Sequence, residues 1–173
     1  MSLAQKIEEH IREIPDFPKE GILFKDITSL LLRPDLCSAI TQQIARQYAH
    51  IDAVAGIESR GFFWGMSIAQ QLGIPFIPIR KAGKLPGPTI AQSYALEYGE
   101  AEIEVQVDDL DPSWKVLIHD DLLATGGTAE AAAKLIEQKS QIAGFSFIIE
   151  LSFLNGRNRL LPFGKSVDSL LIE

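Results

Sequence analysis

Residues 116–129 read VLIHDDLLATGGTA and are the most informative part of the chain. An apolar run leads into two adjacent carboxylates, Asp120 and Asp121, and a short loop then reaches a Gly-Gly-Thr that opens an Ala-rich stretch. Glycines let a backbone turn sharply and approach a ligand closely. Unpaired N–H groups at a helix start, aided by the helix dipole, bind phosphate. The segment therefore predicts a strand, a phosphate-binding loop and a helix.

The two carboxylates need a partner other than the phosphate, which would repel them. Neutral hydroxyl donors suit Asp120 and Asp121, so we expect them to hold two ribose hydroxyls, while Thr125 and Thr128 add donors to the 5′-phosphate. The alternative is an ordinary Gly-Gly turn whose aspartates cap the helix. The segment lacks the Gly-Lys-Ser/Thr of a Walker loop and does not match the three-glycine dinucleotide fingerprint.

Strand and helix patterns alternate on both sides of this segment. Ala53–Ile57 is a short apolar run typical of a buried parallel strand. Alternating apolar residues over 103–107 predict a half-exposed strand. Further strands are predicted over 76–80, 116–119 and 145–151, and helices over 3–14, 35–48, 62–72 and 128–139. This order favours a single α/β domain with a mainly parallel sheet flanked by helices, and ligands bind such sheets beyond the carboxyl ends of the strands.

Composition excludes several classes of protein. The 173 residues are 46% apolar and 23% charged, as in globular domains, and the net charge of −7 disfavours a nucleic-acid partner. Cys37 is the single cysteine, which excludes a disulfide framework and fits a reducing compartment. Glu8, Glu9 and Glu13 interrupt the apolar run that a signal peptide needs, and no stretch approaches the roughly 20 apolar residues of a membrane span. We expect a cytoplasmic protein with no membrane partner.

The DDLLATGGT of residues 120–128 resembles the PRPP-binding motif of the type I phosphoribosyltransferases, in the version of the family's adenine-specific members (PRPP is 5-phosphoribosyl-1-pyrophosphate). His119 stands where that family commonly has an aliphatic residue, and we interpret it as a partly buried strand residue. Other segments resemble the same family in its order: PDFP at 15–18, FKDI at 24–27, ESRGF at 58–62, RKAGKLPG at 80–87 and LEYG at 96–99.

The resemblance implies one phosphoribosyltransferase domain over 1–173, with a twisted sheet, a small base-binding hood over 1–34 and a mobile catalytic loop over 80–99. It implies transfer of the phosphoribosyl group of PRPP to adenine, giving AMP and pyrophosphate. It also implies a homodimer, and magnesium that arrives with PRPP without a protein ligand cage. PRPP would contact seven residues: Asp120, Asp121, Ala124, Thr125, Gly126, Gly127 and Thr128.

The same resemblance assigns the base. Phe24 would stack on the purine, and the backbone of Leu23 and Lys25 would meet its edge. One C=O and one N–H match the amino group and N1 of adenine, and hypoxanthine and guanine reverse both roles. Arg60 would reach a purine nitrogen or the pyrophosphate. Glu97 is the candidate for proton handling near the imidazole nitrogens, with Tyr98 helping to cover the site.

The remaining residues are assigned to pyrophosphate. Glu58 and Ser59 would present backbone N–H groups through a non-proline cis bond, and Arg80, Lys81 and Lys84 would supply positive charge. Without the resemblance, Arg60 is a surface residue paired with Glu58, the three cations form a solvated basic loop, and Glu97 is an exposed strand residue.

Three other functions remain open at this point. The first is a phosphoribosyltransferase for another base, such as xanthine or hypoxanthine, which the 24–27 segment disfavours. The second is a non-catalytic ligand-sensing domain of the same fold, which would bind PRPP without turnover. The third is a generic α/β nucleotide-binding protein, which would explain only the Gly-Gly-Thr loop.

Overall fold

Nine strands, four α-helices and several short 3₁₀ turns make up this protein in the part covered by the computed structural model, which describes residues 1–95 and 99–173. The elements in chain order are α1 (Leu3–His10), β1 (Arg12–Pro15), β2 (Leu23–Asp26), a 3₁₀ helix (Ile27–Leu32), α2 (Pro34–Gln47), β3 (Ala53–Ile57), α3 (Gly61–Leu72), β4 (Phe76–Lys81), β5 (Thr89–Ala95), β6 (Glu100–Gln106), β7 (Lys115–Leu123), α4 (Gly127–Glu137), β8 (Gln141–Glu150) and β9 (Ser166–Ile172).

Seven of the strands form one sheet in the order β5-β6-β4-β3-β7-β8-β9. The pairs from β4 to β9 are parallel, and β6 runs antiparallel to both β4 and β5. The predicted α/β class with a mainly parallel sheet is therefore confirmed. Strands β1 and β2 form a separate antiparallel hairpin.

Apolar side chains cover both faces of the sheet. On one face, Ile118 and Phe147 pack with the alanines of α4. On the other, Leu117 and Ile148 pack with residues of α1, α2 and α3. Strands buried on both sides read as continuous apolar runs, which is why the central strands could be located from sequence. No helix in the described ranges is long and apolar enough to cross a membrane.

The N-terminal region differs from its prediction. The helix predicted over 3–14 ends at His10, and Ile11 is already extended (φ −68°, ψ 133°). The residues that follow form β1, in which Ile14 pairs with Phe24 of β2. The apolar residues at 11 and 14 fit helical spacing, but only the N–H of Ile11 still donates to α1, at the carbonyl oxygen of Ile7, whereas Ile14 pairs with β2. Residues 23–26 form β2 through the same pairing.

The strand predicted over 103–107 is also different, because Glu104 is buried and not exposed. Its carboxylate accepts hydrogen bonds from the backbone N–H groups of Leu85 (2.9 Å) and Lys84 (3.0 Å) and from the hydroxyl of Thr89 (3.2 Å). The Leu85 N–H, ahead of the other donors, lowers the pKa of Glu104. This buried anion therefore fixes the loop between β4 and β5.

His119 lies on β7 and is completely buried, which is deeper than the partly buried position predicted for it. Burial lowers its pKa from 6.5 to about 4, against a smaller opposing effect of the Ser146 backbone. The folded state thus binds a proton on this ring less readily than the unfolded state. The histidine has no effect on the pH dependence above its unfolded pKa, and it destabilises the fold progressively as the pH falls towards 4.

We expect His119→Leu to remove this acid sensitivity. Between about pH 8 and pH 5, the natural protein should lose about 2 kcal/mol more unfolding free energy than the variant. Urea denaturation at the two pH values measures the difference, in which contributions common to both proteins cancel. Parallel pH profiles for the two proteins would show that His119 is not the group responsible.

Candidate active site

The loops that follow β3, β4 and β7 meet at one edge of the sheet. Strand β3 lies between β4 and β7, and Gly56 of β3 is in register with His119 of β7. A Cβ built on Gly61 would lie 2.9 Å from Oδ1 of Asp120, so the start of α3 lies against Asp120 of β7. The predicted pyrophosphate loop and the predicted ribose carboxylates are thus neighbours.

Strand β7 is longer than predicted and runs to Leu123, so Asp120 and Asp121 lie within it. The chain then turns through Gly126, whose φ of +81° favours glycine, and α4 begins at Gly127. No side chain caps this helix start, which excludes the alternative that the aspartates are caps. Its first N–H groups have no acceptor within the helix and can bind an anion.

Asp120 and Asp121 are adjacent acidic residues whose carboxyl groups affect each other's pKa. Asp121 is only 2% exposed, and its backbone N–H donates to Oδ1 of Asp120 at 2.9 Å. Burial raises the pKa of Asp121, and the charge of Arg60 opposes that rise. Burial and the neighbouring Asp121 raise the pKa of Asp120 well above its ordinary value. Together the two groups offer carboxylate oxygens as acceptors, which suits hydroxyl ligands and not a phosphate.

Arg60 connects three predicted parts of the site: the base-binding hood, the ribose-binding carboxylates and the loop that follows β3. Its Nε lies 3.1 Å from Oδ2 of Asp121, and its guanidinium carbon lies 5.5 Å from the ring centroid of Phe24. The same side chain therefore contacts Phe24 of the hood and Asp121 of the predicted ribose-binding pair from the loop that follows β3. The alternative that Arg60 pairs with Glu58 is wrong, because Glu58 pairs with Arg80.

The segment predicted to bind pyrophosphate is held by that Glu58–Arg80 pair. Arg80 Nη2 lies 3.1 Å from Glu58 Oε1, and the backbone N–H of Lys81 donates to Glu58 Oε2 at 2.9 Å. Arg80 lowers the pKa of Glu58 by its hydrogen bonds, ahead of the Lys81 N–H. The Glu58-Ser59 peptide is cis, as predicted. The side chains of Lys81 and Lys84 are exposed at the same loop.

In the hood, the ring of Phe24 faces Arg60 at the predicted base pocket, whereas the side chain of Lys25 is directed away to carboxylates. Phe24 packs edge-on against Phe17 at 5.1 Å and leaves its face to Arg60. Leu23 is 50% exposed beside it. The side chain of Lys25 is directed to Glu13 and Glu173, so only the backbone of Lys25 is available for the predicted contact with a base.

The candidate proton-handling residues, Glu97 and Tyr98, lie outside the described residues. The strand before them reaches the phosphate loop. A Cβ built on Gly127 would lie 3.8 Å from Tyr94 and 3.9 Å from the carbonyl oxygen of Ala95.

Sequence reasoning missed Gly156, whose backbone packs against the predicted phosphate loop. A Cβ there would lie 2.1 Å from the carbonyl oxygen of Ala124 and 2.9 Å from the backbone nitrogen of Gly126. Gly156 is buried, and it follows Asn155 in left-handed conformation (φ 55°). The Asn-Gly dipeptide signals a turn. Nothing local reveals that the turn packs on residues so distant in sequence.

Comparisons with known proteins agree with this geometry. A family described as phosphoribosyl transferase domain matches residues 25–141. An adenine phosphoribosyltransferase of Cytophaga hutchinsonii is 54% identical over 172 residues, covering 98% of this chain and 95% of that protein. The crystal structure of adenine phosphoribosyltransferase from Thermoanaerobacter pseudethanolicus superposes with a TM-score of 0.93 at 42% identity, covering 98% of this chain and 99% of that one. The Saccharomyces cerevisiae enzyme, crystallised with adenine and an imino-altritol bisphosphate, superposes with a TM-score of 0.91 at 38% identity, covering 98% of each chain.

Proposed function

This chain belongs to the phosphoribosyl transferase family, and we infer that it transfers the 5-phosphoribosyl group of PRPP to adenine, releasing pyrophosphate and forming AMP in purine salvage. The observation that carries this inference is the position of Arg60, which touches Phe24 of the hood and Asp121 of the phosphate segment. A base pocket and a ribose-phosphate pocket that share one side chain suit a reaction that joins a base to a ribose phosphate.

The ribose phosphate would bind at the junction of β7 and α4. The N–H groups of Gly126, Gly127 and Thr128, with the hydroxyl of Thr125, would hold the 5′-phosphate, and Ala124 would form the wall of that loop. Asp120 and Asp121 would accept the two ribose hydroxyls. When a hydroxyl takes the place of Arg60 on Asp121, the guanidinium becomes free to contact the base or pyrophosphate.

The base would bind against the hood. Phe24 offers an aromatic face that is now covered by a cation at 5.5 Å, and a purine ring would stack there. The backbone groups of Leu23 and Lys25 would read the amino group and N1 of adenine. A base with the opposite donor and acceptor pattern would leave both unpaired, which discriminates strongly against it.

The pyrophosphate would leave along the loops that follow β3 and β4. Backbone N–H groups near Glu58 and Ser59, together with Lys81 and Lys84, would stabilise the departing anion, and Arg80 would keep Glu58 in place. The sugar becomes oxocarbenium-like as its bond to pyrophosphate breaks, so the protein must fix the geometry and exclude water. We propose that the segment 80–99 closes over the site for this purpose.

Proton handling is assigned to Glu97, with Tyr98 covering the site. The end of β5, three residues or fewer before them, lies beside Gly127 of the phosphate loop. A carboxylate at position 97 would take the proton that adenine loses as its imidazole nitrogen forms the new bond.

Magnesium fits this site as a metal that the substrate carries. Arg60 already neutralises one carboxylate of the Asp120–Asp121 pair, so that pair does not by itself make a multidentate cage. Bound with PRPP, Mg²⁺ would neutralise charge on the leaving pyrophosphate.

We further propose a cytoplasmic homodimer. Phe63 and Met66 lie one turn apart on α3 and are 42% and 46% exposed, so two large apolar side chains lie side by side on the surface of this helix. A second copy of the chain would cover them. The free thiol of Cys37 fits a reducing compartment.

Pyrophosphate release tests the proposed function. With PRPP and each purine in turn, we expect release with adenine and none above background with hypoxanthine, guanine or xanthine.

Phe24→Ala should raise KM for adenine about tenfold, because removing the aromatic ring on which a base stacks costs about 1–3 kcal/mol of binding free energy. Phe24→Tyr, which keeps the ring, should stay near the natural value. PRPP binding without any release would favour the ligand-sensing alternative, and equal kinetics for Phe24→Ala would remove Phe24 from the base pocket.

A further inference from the structure

The side chain of Lys25 lies between two carboxylates. Its Nζ is 2.5 Å from Glu13 Oε1 and 2.9 Å from Glu173 Oε1. The Lys25 side chain is 12% exposed and that of Glu173 is 23% exposed, while Glu13 is 56% exposed. Burial lowers the pKa of Lys25, but the two carboxylates outweigh it and the pKa is raised. Lys25 is therefore a charged group held in place by ion pairs.

The two carboxylates belong to different parts of the molecule. Glu13 is directly opposite Lys25 in the β1–β2 hairpin, so that pair stays within the hood. Glu173 follows β9 and is fixed to the end of β8. Its N–H donates to the carbonyl oxygen of Glu150 at 2.9 Å, and the backbone N–H of Ser152 donates to the carbonyl oxygen of Glu173 at 2.8 Å. The Ser152 hydroxyl donates to that same oxygen.

The hairpin is separate from the main sheet, although Ile27, directly after it, is buried in the core. Its two strands pair only with each other in the sheet arrangement of the described residues, and an isolated two-stranded hairpin is at best marginally stable in water. Lys25–Glu173 connects this hairpin to the edge of the main sheet where the strands end. Arg60 over Phe24 also connects them, but that contact must change when a base occupies the Phe24 ring.

We propose that Glu173 is a positioning residue for the base. Through its ion pair with Lys25, it holds the β1–β2 hairpin so that the ring of Phe24 and the backbone of Leu23 and Lys25 are in place before adenine binds. The proposal rests on the proposed function, because it takes the hairpin to be the adenine pocket. It extends that function to a residue that touches neither substrate.

Two glutamate-to-glutamine variants, which keep the side-chain shape and remove the charge, distinguish the positioning role of Glu173 from a general effect of pairing Lys25. Glu173→Gln removes the link between hairpin and sheet, and Glu13→Gln removes a closer carboxylate but leaves that link. At saturating PRPP, Glu173→Gln should raise KM for adenine about three- to fivefold, while Glu13→Gln changes it by less than about twofold. KM for PRPP and the melting temperature should stay near those of the natural protein in both variants.

A double-mutant cycle completes the test. Lys25→Met should raise KM for adenine about as much as Glu173→Gln, and the double variant should be no worse than Lys25→Met alone. Both changes break the Lys25–Glu173 link, and the pair with Glu13 that Lys25→Met also removes is expected to contribute little to adenine binding. Unchanged KM for adenine in Glu173→Gln, equal effects of Glu13→Gln and Glu173→Gln, or additive effects in the cycle would each overturn the proposal. Failure of the proposed function is distinct, because the natural protein would then release no pyrophosphate with adenine.

Discussion

Asp121→Asn is expected to lower kcat/KM for PRPP about 100-fold, while KM for adenine changes by less than about threefold. Hydrogen bonds to charged groups contribute about 1.5–3 kcal/mol each, and the asparagine loses one carboxylate acceptor and the ion pair with Arg60. The side chain keeps its shape in a site that is 2% exposed. The loss should therefore come from ribose binding and not from a collapsed strand.

The matched control is Asp52→Asn. Asp52 precedes β3, at the end of the strands opposite to the candidate site. Its carboxylate accepts a hydrogen bond from the backbone N–H of Lys115 at 2.8 Å, which an asparagine side-chain oxygen can also accept. Its kinetics should equal those of the natural protein. Steady-state kinetics with each substrate varied in turn measure both variants. If Asp121→Asn impaired adenine more than PRPP, the assignment of this carboxylate to the ribose would be wrong.

Gly156→Ala is expected to lower kcat/KM for PRPP by a similar factor of about 100, although Gly156 belongs to no recognised motif. Its added methyl group would lie 2.1 Å from the carbonyl oxygen of Ala124 and 2.9 Å from the nitrogen of Gly126. Both are backbone atoms, so the phosphate loop itself must move. A displacement of about 1 Å at a binding site costs about 100-fold in rate.

Asn158→Ala, an exposed change in the same 3₁₀ turn, serves as the control and should leave the kinetics unchanged. Overpacking in Gly156→Ala should also cost about 1–3 kcal/mol of unfolding free energy, which urea denaturation measures. The kinetics are then compared under conditions where both variants are folded. Full activity of a folded Gly156→Ala would mean that the loop does not depend on this backbone contact.

The central strands and the phosphate segment could be predicted because their signals are local. An apolar run leading to Asp120 and a Gly-Gly-Thr determines a strand, a turn and a helix start within a few residues. The predicted contact of Arg60 with the base pocket is also consistent with its position over Phe24, although the binding role itself stays a prediction.

Other features depend on partners that are distant in sequence. Ile14 fits a helical pattern as well as a strand, and only its pairing with Phe24 decides between them. Glu104 looked exposed because its neighbours alternate with it, yet two donors from the loop after β4 and one from Thr89 at the start of β5 surround it. Gly156 and Glu173 act through contacts with Ala124 and Lys25, and no local pattern reports such long-range contacts.

The most direct test of the proposed binding site is a crystal structure of this protein with AMP bound. We expect the 5′-phosphate on the backbone N–H groups between Thr125 and Thr128, the ribose hydroxyls on Asp120 and Asp121, and the adenine ring on the face of Phe24. A ribose phosphate found at any other place on the protein, with the N–H groups at the start of α4 left free, would contradict it.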